Sequence, residues 1–231
     1  MTASSTIVLR LDAPFSAWRW MQAGVYRGTY PVIPPSAAWG LVLHLAGIET
    51  RGSLREVVTS IRSDAPPLEI AVGVQRAGRR SVLYQQLHSY PVGRSGAGLK
   101  TRTFGNKYWI APAKREVLVG LIALVAARGA HEIIGRVADG LAGRTAGPRY
   151  GVPFAGDNQF LFSRIDVVAA DERARWYEPV RGTSLVRDPT RLTTNIDRRD
   201  SSRTHAPVFA PGEPGPCPPG AWVWVGPRMT G

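Results

Sequence analysis

From Glu116 to Ala127 the chain reads EVLVGLIALVAA, a nearly continuous apolar run. Such a run forms either a buried strand or a buried helix, and periodicity alone does not separate the two. Val117, Val119, Ile122 and Val125 are β-branched and favour a strand, and Gly120 in the middle weighs against a helix. A buried strand at this place must be flanked by other regular elements, and the sequence supplies them in order.

Thr6–Leu11 alternates Ile7, Leu9 and Leu11 with Val8 and Arg10, which predicts a strand ended by Asp12-Ala13-Pro14. Pro34-Pro35-Ser36 opens a helix to about Ile48, with Trp39, Val42, Leu43 and Ala46 at helical spacing and Gly47 at the stop. Leu68–Val74 alternates again as a strand. Ser81–Tyr90 and Thr101–Ile110 read as two further strands joined by Gly93-Arg94-Ser95-Gly96-Ala97-Gly98, a long protruding hairpin. After the apolar run, His131–Leu141 is a second helix with Ile133, Ile134, Val137 and Leu141 on one face, and Phe160–Val168 a buried strand. The order is βαββαβ with an inserted hairpin, which predicts an α+β, ferredoxin-like domain over residues 1–170 with the hairpin at about 80–111. Residues 171–231 read as an irregular C-terminal extension. It is proline- and glycine-rich from 207, wrapping or hanging loose, with Ala221–Val225 as a closing strand.

Charge is what points to a partner. Lys and Arg number 29 against 17 Asp and Glu, a net charge of +12. From Arg76 to Arg115 there are nine cations and no carboxylate, interleaved with Tyr84, His88, Tyr90, Phe104, Tyr108 and Trp109. A merely solvated charged face mixes both signs. Cations of one sign neutralise phosphates and release counterions, and aromatic faces between them stack on unpaired bases. The segment therefore predicts a nucleic-acid surface. Trp18, Arg19, Trp20 and Arg27 repeat the aromatic–cation pattern after the first strand, with packing of the tryptophans under a loop as the structural alternative. Trp222 and Trp224 read as core or partner surface.

Other chemistries are not supported. No apolar run is long enough to span a bilayer, and the N-terminus lacks the pattern of a secretory signal, so a cytoplasmic protein without membrane contact is expected. A single cysteine, Cys217, excludes an intramolecular disulfide framework and a cysteine-based zinc site. His44, His88, His131 and His205 have no metal-ligand spacing, and Asp12, Asp166, Asp197 and Asp200 form no acidic cluster in the sequence, so no metal or other cofactor is expected. His44 reads as a core or boundary residue and His131 as a surface one. His88, in the basic hairpin, reads as an RNA contact ahead of a general base, because no partner acid is evident. The loop Gly140–Gly151 lacks the Lys-Ser/Thr ending of a nucleotide-triphosphate loop, while Arg144, Arg149 and Tyr150 incline it toward nucleic acid. Asn158 reads equally as a base-edge contact and as a turn cap.

Six blocks, in order, resemble a known family: LRLDAPFSAWRW (Leu9–Trp20), YPVIPPSAAWGLVLHLAGIE (Tyr30–Glu49), LYQQLHSYPVG (Leu83–Gly93), KTRTFGNKYWIAPAKREVLVGL (Lys100–Leu121), RYGVPFAGDNQFLFSRIDV (Arg149–Val167) and RLTTNIDRRDSSRT (Arg191–Thr204). Each block is weak alone, and the ordered set is specific. It resembles the Cas-five family of CRISPR-associated RAMP proteins, most closely the subgroup described as the fruiting-body developmental protein S type, found in type I-B and related systems. The resemblance implies a modified ferredoxin-like, RRM-related fold with the basic hairpin as a thumb. It implies a non-catalytic subunit of the Cascade surveillance complex that grips the 5′ handle of the crRNA. Such a subunit caps the Cas-seven filament, contacts the large subunit and meets target DNA through the complex. One subtype of the family instead cuts precursor crRNA, a role for which Tyr84, His88 and Lys107 are the candidates. A basic module of another ribonucleoprotein is the remaining alternative. On the leading reading, Arg19, Arg80, Lys100, Arg102, Lys107 and Arg149 contact phosphates. Trp18, Tyr84, His88, Tyr108 and Asn158 stack on bases or contact their edges.

Overall fold

The computed structural model describes residues 4–23, 25–52, 60–91, 108–145, 147, 151–182, 185–197 and 200–227. Along the chain the elements are β1 (Ser4–Ser16), β2 (Arg19–Ala23), β3 (Tyr26–Thr29), α1 (Pro35–Leu45), β4 (Leu68–Arg76), β5 (Arg79–Pro91) and β6 (Tyr108–Ala130). They continue with α2 (His131–Leu141), β7 (Arg164–Val168), β8 (Ala174–Pro179), β9 (Thr190–Arg191), β10 (Val208–Gly215) and β11 (Val223–Val225). The βαββαβ order read from the periodicities is β1-α1-β4-β6-α2-β7. Its strands lie side by side as β4-β6-β1-β7, every neighbouring pair antiparallel.

The apolar run lies at the centre of this sheet and is a strand. Its alternation divides the core in two. Ala123, Val125 and Ala127 join Ile7, Leu9 and Leu11 of β1 and the buried residues of both helices. Leu124 and Ala126 point the other way, with Val8, Ala71, Trp176 and Ala221. Pro35 takes the first turn of α1, where its missing N–H costs nothing, and the helix stops just before Gly47. α2 spans the predicted residues and buries Ile134 and Val137.

Four boundaries differ from the sequence reading. β1 does not end at Asp12-Ala13-Pro14 but runs to Ser16. β7 pairs with it only as far as Asp12, whose carbonyl accepts the Ser163 N–H at 2.9 Å. Pro14, two residues on, turns its nitrogen to the same side, where no strand follows, so the missing donor leaves the ladder intact. Second, the return strand of the hairpin and the apolar run are one strand, β6. β5 pairs with its outer half, from Tyr108 to Val119, and β4 with its inner half, from Ile122 to Arg128, on the same side. The change at Lys114-Arg115-Glu116 is one of burial, not of backbone direction. The register shifts within β4, between Val74 and Arg76, and Gly120 on β6, at φ +74°, lies opposite the handover, where its carbonyl accepts from Arg76 Nε at 2.8 Å. Third, Phe160–Ser163 is not strand, because Phe154 and Leu161 bridge to close a turn there. β7 begins at Arg164 as a half-exposed edge.

The fourth difference is the C-terminal segment, which extends the sheet. β8 and β11 pair with the outer edge of β4, β10 pairs with β8, and β9 with β10. β10 holds three backbone positions, Phe209, Ala210 and Pro211, in one register. It then shifts before Pro214, and a bulge is where a strand accommodates proline. Trp176 and Ala221 cover the sheet face opposite the helices, with Trp222 beneath the Arg128 guanidinium at 4.1 Å, while Trp224 is exposed. Cys217 packs at the rim of this layer, where burial pushes its thiol up to about 12. A thiol is reactive only as thiolate. Cys217 is therefore expected to resist Ellman's reagent at pH 8 in the native protein and to react at once in denaturant. Rapid native labelling would show that the C-terminal layer does not cover it.

Candidate nucleic-acid interface

The chain leaves β1 through Ala17 and Trp18 and turns into the β2–β3 ribbon, which docks on the outer half of β6. Tyr26 and Arg27 pair in parallel with Lys114 and Arg115. The turn at Ala155–Gly156 holds this corner from the other side. The Ala17 N–H donates to the Ala155 carbonyl at 3.0 Å. Gly156, at φ +83°, lies so close that a Cβ would stand 2.3 Å from the Ala17 carbonyl oxygen. Only glycine permits that approach, and it sets Asp157 and Asn158 facing the ribbon.

Between ribbon, hairpin base and turn lies a cleft of about 450 Å³ lined by Arg19, Arg27, Gln85, Gln86, Arg115, Asp157, Asn158 and Gln159. Alternation puts Arg27 and Arg115 on one face of the sheet with Gln85. Arg115 is almost buried. It pairs with the Asp157 carboxylate, donates to Gln85 Oε1 at 3.2 Å and lies 5.7 Å from the Phe160 ring centroid. Asp157 also accepts the Gln159 N–H at 3.0 Å. Burial, then the neighbouring charges of Arg19 and Arg115, hold the Arg27 guanidinium below its ordinary value. Three guanidinium groups thus face one carboxylate. With Arg115 and Asp157 compensating each other, Arg19 and Arg27 leave the cleft cationic, and neither pairs with a carboxylate among the described residues. Four amide side chains beside them can donate to or accept from a base edge. The arrangement suits a phosphodiester with its base.

Of the residues expected at the site, the structure brings Arg19 and Asn158 together in this cleft. Trp18 is a correction. It is 4% exposed, packs 6.3 Å from Phe162 and presents no face to a base, because its N–H donates to the Thr29 hydroxyl and its carbonyl accepts the Tyr30 N–H, which turns it inward. Arg80 and Tyr84 lie on the opposite face of the hairpin base. Arg80 donates to Glu116 at 2.9 Å and to the Thr29 carbonyl at 3.3 Å. Burial raises the Glu116 carboxyl, but Tyr26, the Thr29 amide and Arg80 together hold it below the usual carboxylate range. His88 and Tyr108 take places farther out on β5 and β6. Lys100, Arg102, Lys107 and Arg149, with the turn Gly93–Gly98, lie outside the described residues. The cleft also holds Arg115, Gln85, Gln86, Asp157 and Gln159, which carry no individual contact signal in the sequence, and Arg27, which the sequence offers only within the tryptophan–arginine motif. No described helix is long and apolar enough to cross a membrane.

Fold and cleft define an α+β protein built on a mixed sheet, with a cationic cleft at the base of its β5–β6 hairpin. Residues 6–136 match a family described as CRISPR-associated protein (Cas_Cas5), so the chain belongs to the Cas5 family. Its fold is similar to a chain of a "CRISPR RNA-guided surveillance complex", with a TM-score of 0.55 at 18% identity, covering 94% of this chain and 92% of that one. It is also similar to a chain described as "Crystal structure of Cas protein", with a TM-score of 0.51 at 15% identity, covering 92% and 95%. No curated protein sequence matches it.

Proposed function

We propose that this Cas5-family chain is a crRNA-binding subunit of a cytoplasmic type I Cascade complex, of the subgroup its sequence blocks resemble. It grips the 5′ handle and caps the Cas-seven-type backbone filament beside the large subunit, so that target DNA is met through the complex. The β5–β6 hairpin is the thumb, and Lys100, Arg102 and Lys107 contact phosphates of the guide. The observation that carries the reading is the cleft: Arg19 and Arg27, without a carboxylate partner among the described residues, lie among amides at the thumb's base. This is the chemistry that holds a bent single strand by its phosphates while testing a base. The protein acts by binding, without a catalytic step.

The test uses the full chain and end-labelled RNA carrying the cognate repeat, in EDTA, against a scrambled RNA of equal length. Gel shift and denaturing gels are run on the same samples. The expected result is preferential binding of the repeat with the RNA intact. Equal affinity for the scrambled RNA would make the chain a general RNA-binding module. A single cut within the repeat would make it a metal-independent endoribonuclease, with Tyr84, His88 and Lys107 the first residues to replace.

A further inference from the structure

The face of the hairpin base opposite the cleft carries a second arrangement. The strand registers place Tyr26 of β3, Lys114 of β6 and Tyr84 of β5 in one row across three adjacent strands. Paired residues share a face, so the row looks away from Arg27 and Arg115, which belong to the alternate positions. Tyr84 is 78% exposed, and Lys114 is exposed between the two rings. Neighbouring strands lie about 4.8 Å apart, so the two tyrosines stand about 10 Å from each other with the ammonium between them. The Glu116 carboxylate nearby raises the Tyr26 hydroxyl above its ordinary value, and the Glu116 charge is answered by Arg80 at 2.9 Å. Among the described residues Lys114 is left as the uncompensated charge of the row.

Trp20 extends the same face. The β2–β3 register shifts between Arg19 and Met21, so Trp20 sits in a β-bulge, a device that re-aims a side chain. Its indole lies over Gly28, where a Cβ would fall 2.5 Å from the ring nitrogen. Gly28 is two residues from Tyr26 and on its face. The indole is thus pinned against backbone and still 51% exposed. Buried tryptophans complete a core, as Trp18 does one turn of backbone earlier. A half-exposed tryptophan with its ring nitrogen close against a glycine, beside a tyrosine–lysine–tyrosine row in a protein of net charge +12, is arranged to be covered.

We propose that Trp20, Tyr26, Lys114 and Tyr84 form a second binding surface for single-stranded nucleic acid. It stacks unpaired bases on its rings and holds the intervening phosphate at Lys114. The thumb base is then two-sided, with a phosphate-gripping cleft on one face and a base-stacking platform on the other. The surface does not depend on handle recognition, because aromatic stacking is tolerant of sequence.

The test uses the full chain with oligouridine RNA and oligothymidine DNA of equal length, each carrying one 2-aminopurine. The RNA and DNA arms tell a guide strand from a DNA strand. Binding should change the 2-aminopurine fluorescence. Trp20→Ala and Tyr84→Ala should each weaken binding about tenfold and abolish most of that change, leaving the salt slope unaltered. Trp20→Phe and Tyr84→Phe should retain binding within a few-fold. As a check independent of any variant, 5-iodouridine cross-linking of the wild-type chain should label Trp20 or Tyr84. The platform is refuted if the doubly alanine-substituted chain, shown folded by its thermal melt, binds both strands as the wild type does. It is equally refuted if cross-links avoid both rings, or if the alanine variants lose only association with a protein partner. Handle recognition fails on a different result, equal affinity for cognate and scrambled repeat RNA.

Discussion

Replacing Arg19 and Arg27 together by alanine is expected to weaken RNA binding about 30-fold near 0.1 M salt and to flatten its salt dependence. Each contact between a cation and a phosphate of a single strand contributes about 0.7 to the slope of log K against log salt, so two lost contacts lower it by about 1.4. The affinity loss corresponds to about 1 kcal/mol per arginine, less than the roughly 1.5–3 kcal/mol of a charge-assisted hydrogen bond out of water, because the cleft is open to solvent. Burial, then the charges of Arg19 and Arg115, already lowers Arg27. An arriving phosphate relieves that like-charge crowding, which an isolated surface arginine does not offer. Substituting both by lysine separates charge from shape. The salt slope should survive, since the charge is kept, while affinity drops because an ammonium does not make the forked contact. Filter binding at four salt concentrations decides the matter. If the alanine pair leaves the slope at its wild-type value, phosphates do not reach this cleft.

Most of the frame was legible in the sequence because it is local. The alternation of Ile7, Leu9 and Leu11, the proline start of α1, and the 3.6-residue spacing of Ile134, Val137 and Leu141 are each fixed within a dozen residues. What was not legible depends on where an element lies in the sheet. Pro14 ends a strand if both edges are paired and is harmless when one is free. The strands β8 and β10 carry arginines and prolines and become strands by pairing with β4 and with each other, a partnership of distant segments. The site divides the same way. The carboxylate-free run from Arg76 to Arg115 located the hairpin. It did not tell that alternation would send Arg115 to one face and Tyr84 with Lys114 to the other. Trp18 and Trp20 give the same signal in sequence, yet Trp18, tied to Thr29 and Tyr30, is buried, while Trp20, in the bulge between Arg19 and Met21, is exposed. Arg115 and Asp157 lie 42 residues apart, and nothing local joins them.

That pair carries the second large effect. Replacing Arg115 by methionine is expected to destabilise the protein by about 3–5 kcal/mol, since it strands a carboxylate out of water. The side chains of Arg115 and Asp157 are 10% and 14% exposed, and the Phe160 ring closes one side. Removing both charges, as Arg115→Met with Asp157→Asn, should recover most of the loss, because a buried ion pair contributes little beyond what a neutral pair of similar volume gives. Urea denaturation at constant m-value measures the cycle. RNA binding then separates the structural role from the functional one. Arg115→Met leaves Asp157 facing the phosphate and should weaken binding as well as stability. Asp157→Asn should cost stability while leaving binding undiminished, because the freed guanidinium remains in the cleft beside Arg19 and Arg27. If Asp157→Asn weakens binding as much as Arg115→Met does, the pair only shapes the turn, and the cationic character of the cleft rests on Arg19 and Arg27 alone.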